Sequence, residues 1–122
     1  MTIANNTDIG SVISVSSPAS TAATSPIQAN PYGRGIKIQV NALGFISGSF
    51  TVTLNGVING INYTILTSAA LSAAAVTILT VYPGLTAVAN VTATDILPPH
   101  WSITVTPTSL VGTVNIGAVV LV

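Results

Sequence analysis

The stretch "GIKIQVNA", residues 35–42, alternates apolar and polar side chains without a break. Successive side chains of an extended chain point to opposite faces, so a period of two places the apolar residues together. That apolar face comprises Ile36, Ile38, Val40 and Ala42. We therefore predict a β-strand with one buried and one solvated face, and the same period organises most of the chain that follows.

The alternation recurs in further segments, which turn-forming residues separate. Asn59-Gly60 tolerates the positive φ angles of a two-residue turn and predicts a β-hairpin over residues 49–66. Pro83-Gly84 ends a strand predicted at 76–82, since proline offers no N–H and glycine permits a sharp turn. The apolar side of these segments comprises Phe50, Val52, Leu54, Ile61, Tyr63, Ile65, Trp101, Ile103, Val105, Val114, Ile116, Ala118, Val120 and Val122.

The sum is six to eight predicted strands in a chain of 122 residues, the size of one domain. For the alanine-rich segment "SAALSAAA", residues 68–75, we expect a bend or a short helical turn, because alanine favours helix but a β-branched run follows. This pattern predicts an all-β fold. We expect an antiparallel β-sandwich of jelly-roll or immunoglobulin-like type over residues 34–122.

Residues 1–33 differ from the rest, being rich in Ser, Thr, Ala and Pro with few core-forming side chains. This composition predicts an extended N-terminal arm. Within it, Ile9, Val12 and Val15 lie near strand spacing, so part of the arm is suited to pair with another strand. Two interpretations stay open: a floppy terminus, or an arm that becomes ordered on a neighbouring subunit.

Charged residues are unusually scarce, because Asp8, Arg34, Lys37 and Asp95 are the only ones and make up 3% of the chain. About 25% is typical of soluble proteins. Two cations are too few for the phosphate contacts of nucleic-acid binding. With a net charge near zero, copies repel each other weakly, so we expect a subunit whose faces are covered by neighbours.

The inventory of reactive side chains argues against an enzyme. His100 is the only histidine and there is no cysteine, so we expect no metal site and no cofactor. Nothing resembles a nucleophile elbow, and only Asp8 and Asp95 are available as acids. Trp101 is most simply a core residue; the alternative is an exposed tryptophan that stacks on a sugar. No apolar run approaches the roughly eighteen residues of a spanning helix, so we expect no membrane insertion.

Residues 80–106, "TVYPGLTAVANVTATDILPPHWSITVT", follow the hairpin and combine a "VYPGLT" segment, a Leu-Pro corner and a Trp-led strand. In this order, over residues 30–122, the chain resembles a family of small virion structural proteins of tailed bacteriophages. It departs from that family in its uncharged hairpin and in Pro99 and His100, which stand where the family carries a basic residue. The residues that carry the likeness are Gly33–Gly35, Asn59, Gly60, Tyr63, Leu66, Tyr82–Thr86, Leu97, Pro98 and Trp101.

The resemblance implies a non-enzymatic structural role in the virion, as a decoration or cement protein on the capsid surface. It implies the major capsid protein as partner and a homo-oligomer, with a trimer favoured. The alternatives are a tail or neck component, and a carbohydrate-binding or adhesin module. We expect subunit contacts in the arm, in the loop after residue 82 and at the Pro-Pro corner, at Ile9, Val12, Val15, Tyr32, Arg34, Leu85, Val88, Pro98, Pro99 and His100.

Overall fold

The computed structural model describes residues 7–16, 21–30 and 33–122, and its regular elements are all strands. They form one mixed sheet of eight strands, so the predicted all-β class is confirmed. Within these ranges, no helix has the length and apolar character needed to cross a bilayer. The strands are β1 (Thr7–Ser16), β2 (Ala23–Thr24), β3 (Gln28–Ala29), β4 (Gly35–Ile58), β5 (Ile61–Thr67), β6 (Val76–Val81), β7 (Thr92–Ala93) and β8 (His100–Leu121).

Two long strands form the centre of the sheet. β4 has 24 residues and β8 has 22, and they pair antiparallel from Gly35 opposite Leu121 to Gly56 opposite Trp101. The register shifts three times between Asn41 and Ser49. Bulges of this kind bend the strand that carries them. The ladder therefore has two regular halves joined by an irregular middle.

The shorter strands line the two outer edges of this central pair. β1 pairs with the C-terminal half of β8, and β2 and β3 pair with its N-terminal half. On the other side, β6 and β5 pair with the N-terminal and C-terminal halves of β4. The described part of the predicted arm thus runs antiparallel along β8 of its own chain. The boundary predicted at residues 33 and 34 stays a prediction.

One hydrophobic core takes side chains from both halves of the ladder, as the period of two predicts. From the first half come residues such as Ile38, Leu79 and Ile116, and from the second come Phe50 and Trp101. Trp101 is 0% exposed, which confirms it as a core residue. Most of the other residues predicted on the apolar side are also buried, namely Ile36, Val40, Ala42, Val52, Leu54, Ile103, Val105, Val114, Ala118 and Val120. The prediction is wrong for Ile61, Tyr63 and Val122, which are exposed, and Ile65 is half-buried, because the end of the hairpin and the end of β8 reach past the core.

Ile9, Val12 and Val15 are spaced by three residues, and the bulges of β1 explain why all three side chains nevertheless pack at the core. Its pairing with β8 steps from Asp8 to Gly10 and from Ser11 to Ile13 while β8 advances by a single residue. Ile9 and Val12 are therefore the extra residues of two bulges, and each bulge resets the alternation of side chains. As a result both pack against the core.

One detail of the fold differs from the sequence prediction, and one expectation that was left with two alternatives is decided. β6 and β7 pair in parallel, so the prediction of a purely antiparallel sheet is wrong at this point. For residues 68–75 the expectation of a bend or a short helical turn is confirmed as a bend, which lies at residues 73–74, and the segment bridges β4 through Leu71 opposite Phe50. β5 ends directly before this segment, β6 begins directly after it, and Leu71 pairs with β4, and these strand contacts outweigh the helical preference of alanine.

The irregular middle of the ladder depends on glycine at Gly112, which has a φ of 114°. A Cβ added there would lie 2.3 Å from the Gly44 carbonyl oxygen and 2.8 Å from the Ile46 nitrogen. These are backbone atoms, which a side-chain rotation cannot move. At Gly60 in the hairpin turn, φ is 78° but a Cβ would meet nothing within 4 Å.

We expect Gly112→Ala to lower the free energy of unfolding by about 3 kcal/mol or more, because strain and backbone clash add. Gly60→Ala, the matched control, suffers only the positive φ and is expected to lose about 1 kcal/mol. Urea denaturation of both variants measures the difference. Equal losses would show that the backbone at Gly112 has room to relax.

Candidate subunit-contact surface

A buried asparagine holds the Pro-Pro corner, residues 97–100, in place. The Asn30 side chain is 9% exposed, and its Oδ1 accepts a hydrogen bond from the Gly33 nitrogen at 2.7 Å. Its Nδ2 lies within hydrogen-bonding distance of three carbonyl oxygens, those of Gly33 (2.9 Å), Leu97 (3.1 Å) and Pro98 (3.3 Å). The Asn30 backbone nitrogen also donates to the Pro99 carbonyl at 2.8 Å. One residue therefore fixes both the turn before β4 and the approach to β8.

Arg34 joins the same region through its backbone. Its nitrogen donates to the Leu121 carbonyl at 2.7 Å, and its carbonyl accepts from the Leu97 nitrogen at 2.8 Å. Four of the predicted contact residues thus belong to one hydrogen-bonded region. Of these, Arg34, Pro99 and His100 are exposed, whereas Pro98 is buried.

The predicted contact residues Leu85 and Val88 lie in the loop between β6 and β7, and both are exposed. Hydrogen bonds within the chain order this loop: the nitrogens of Val88 and Thr92 pair with each other's carbonyls at 3.0 and 2.9 Å. The Asn90 side chain donates to the Thr67 carbonyl at 2.9 Å and ties the loop to β5. The loop therefore presents apolar side chains on a fixed backbone.

The N-terminal contact residues are placed differently. Val15 is buried, and Ile9 and Val12 are half-buried against the core of the same chain. Their side chains are occupied within the chain, so any contact that β1 makes with a partner must use its other face or its free edge. Tyr32 lies outside the described residues.

Sequence reasoning missed the most exposed apolar side chains. Ile58 and Ile61 flank the Asn59-Gly60 turn and are 65% and 70% exposed, and Ile46, in the irregular middle of β4, is 74% exposed. The alternation placed Ile61 on an apolar face, but it does not show that the hairpin extends past the core. The sequence signal for this exposed pair was the position of Ile58 and Ile61 directly beside an Asn-Gly turn, because such turns lie at the end of a hairpin.

A second missed feature is a row of polar side chains across the outer face of β4, β5 and β8. Asn55 Nδ2 donates to Thr104 Oγ1 at 2.9 Å and lies 3.4 Å from Ser102 Oγ. Ser102 Oγ in turn donates to Asn62 Oδ1 at 3.2 Å. Asn55 and Ser102 are both buried, so these bonds satisfy polar groups that would otherwise be unpaired. The row ties three strands together and contains no titratable group.

The described residues offer little reactive chemistry. They contain no cluster of three or more side chains suited to a metal ion. His100 lies at an exposed strand end, and Asp95 Oδ1 accepts a hydrogen bond from the next residue's nitrogen at 2.7 Å. Because Trp101 is fully buried, the alternative of an exposed, sugar-stacking Trp101 is wrong. Comparisons with protein-family models, with curated proteins and with solved structures found no match.

We expect Asn30→Asp to destabilise the protein by about 2–3 kcal/mol, because a carboxylate would face three carbonyl oxygens with no proton to donate. Asn115→Asp makes the same change at an exposed position of β8 and is expected to change stability by less than about 0.5 kcal/mol. Thermal or urea unfolding of both variants tests this. A similar small effect at both sites would contradict the role assigned to Asn30.

Proposed function

We propose that this chain is a non-enzymatic structural protein of a phage virion, a decoration or cement protein that stabilises the head by bridging capsid subunits. The observation that carries the proposal is a surface with many exposed apolar side chains and almost no charge. The resemblance of residues 30–122 to small virion proteins supplies the biological setting. The ordered, uncharged loop and corner supply a surface for the contact.

Large apolar side chains are exposed in several parts of the described surface. They occur in the loop after β6, at the hairpin tip and at the irregular middle of β4 and β8, while the four charged residues are all exposed. Extended apolar surface on a soluble chain indicates contact with partners. The most exposed members are Ile27, Leu43, Ile46, Ile58, Ile61, Val88 and Ile96.

We further propose that the two halves of the sheet pack face to face as a β-sandwich, with residues 1–33 acting as an arm. The shared core supports the first part, since Trp101 and Phe50 of one half belong to the same cluster as Ile38 and Ile116 of the other. The pairing of β1 with β8 supports an arm that lies along the sheet edge. An exposed strand edge offers unpaired backbone groups to a neighbouring subunit.

The capsid contact is assigned to the loop after β6 and the neighbouring Pro-Pro corner. A preorganised surface loses little conformational entropy on binding, and an uncharged one loses little hydration. Both properties favour a permanent structural contact. A tail or neck position remains the alternative within the virion, and the number of copies per particle separates the two.

The test uses capsids assembled without this protein, mixed with purified chain and sedimented. We expect the wild type to co-sediment in proportion to the capsid subunits and to raise the thermal stability of the particle. Val88→Asp is expected to weaken binding by about tenfold or more, because an unpaired charge would be buried in the contact. Thr108→Asp adds the same charge at an exposed site away from the loop and is the matched control.

Three outcomes contradict specific parts of the proposal. A wild-type chain that never co-sediments and leaves particle stability unchanged overturns the cement role. Binding that saturates at one small ring of copies per particle points to a neck component. Equal binding of Val88→Asp and Thr108→Asp removes the loop from the contact.

For the arm we expect cleavage within residues 1–33 by a broad-specificity protease in the free protein and protection on the particle. The physical reason is that a sheet edge opens locally far more easily than the core, and a bound partner suppresses that opening. Mass spectrometry of the fragments locates the cuts. Equal cleavage rates in the two states would show that the arm makes no contact with the capsid.

A further inference from the structure

Two of the four charged residues, with opposite signs, lie on one face of the sheet. Asp8 of β1 pairs with Val119 of β8, and Val119 pairs with Lys37 of β4. The three residues form one row across three strands, so their side chains project from the same face. Strands are spaced by about 4.8 Å, which puts Asp8 and Lys37 about 10 Å apart at their Cα atoms.

Between these charges lies a shallow groove of about 400 Å³. Gly10 and Gly117 contribute no side chains to it, and Val119, Gln39 and Ile78 line it together with the two charged residues. A Cβ at Gly117 would lie 3.1 Å from the Gly10 carbonyl oxygen, so the β1 backbone comes close at this point. The two glycines leave the middle of the groove without side chains, and Asp8 and Lys37 place one negative and one positive charge at its two sides.

We propose that this face binds the same face of a second copy across a two-fold axis. In such a contact each patch meets itself, so a residue at one side meets the residue at the opposite side of its partner. An axis near Val119 would place Asp8 of one copy against Lys37 of the other, twice. A patch with charges of one sign would repel itself, whereas this patch is self-complementary.

The choice of a second copy over a small ligand follows from the same geometry. The two charged residues lie on strands two apart, with about 10 Å between their Cα atoms, whereas a single carbon atom joins the ammonium and carboxylate groups of an amino acid. Val119 lies between the two charged residues, and Ile78, which also lines the groove, is 44% exposed. An apolar centre with charges at its rim is the usual composition of a protein–protein contact. The inference stands apart from the capsid role, because a two-fold contact gives dimers whereas the resemblance implies trimers.

The experiment combines Asp8→Lys and Lys37→Asp. Alone, each variant would place like charges together at both ends of the contact, and we expect dimerisation to weaken by about a hundredfold. When the two variants are mixed, the introduced lysine of one copy meets the introduced aspartate of the other, and the unchanged Lys37 of the first meets the unchanged Asp8 of the second. A heterodimer is therefore expected to form with near wild-type affinity. Sedimentation velocity at low salt, with one variant fluorescently labelled, measures all three states.

Arg34→Asp and Asp95→Lys make the same changes of charge outside this face and are expected to dimerise like the wild type. Asp8 Oδ1 also accepts a hydrogen bond from the Gly10 nitrogen at 2.8 Å, so Asp8→Asn, which keeps an acceptor, separates loss of charge from loss of local structure. Its dimer is expected to weaken by about tenfold or less.

A wild type that stays monomeric at millimolar concentration overturns the proposal, as does a mixture that forms no heterodimer although both variants are folded. A trimer that is insensitive to either substitution overturns it as well. Capsid co-sedimentation of the same variants keeps the two ideas separate. A monomeric variant that still binds capsids would leave the cement role standing, and a dimer that never binds capsids would leave the two-fold contact standing.

Discussion

The antiparallel ladder between β4 and β8 is the interaction on which every other part of the fold depends. Both strands exceed 20 residues, whereas strands in globular proteins usually run to about ten. Each strand carries one set of inward side chains in its first half and another in its second half. The register shifts lie between the two halves, where they allow the strands to bend. The flanking strands pair with the outer edges of this ladder. Its irregular middle joins two halves whose buried side chains belong to one core.

The edges of the sheet connect the fold to assembly. β1 carries two bulges, and β2, β3 and β7 have two residues each, which discourages pairing with another chain. β5 has none of the usual protection by charge or proline over residues 61–67, and its residues 61–64 are all exposed. Soluble monomers normally place lysine or another charge on such an edge. A chain with four charged residues cannot do this everywhere, and this agrees with the proposal that partners cover part of its surface.

The sequence predicts well those features that depend on neighbours along the chain. The alternation in residues 35–42 gives both the strand and its buried face, and Asn59-Gly60 gives the hairpin. It does not show where an extra residue enters a strand, so the environments of Ile9, Val12 and Ile61 needed the structure. The parallel pairing of β7 was also out of reach, because it depends on the path of the loop after Val81. The role of Asn30 depends on Leu97 and Pro98, which are far away in sequence. Of the predicted contact residues, those at the Pro-Pro corner are brought together, whereas Val15 is buried.

Charge scarcity and structural order work together in this protein. Removing a charged group from water is expensive, so a surface with few charges is easier to cover permanently. Such a surface has little electrostatic means of choosing its partner, and specificity must then come from shape and backbone position. Asn30 fixes backbone position in this way, because its bonds to the carbonyls of Gly33, Leu97 and Pro98 hold a corner in which only His100 belongs to a strand. In the proposed two-fold contact, the charges of Asp8 and Lys37 would set the register of the two copies more than the strength of their binding.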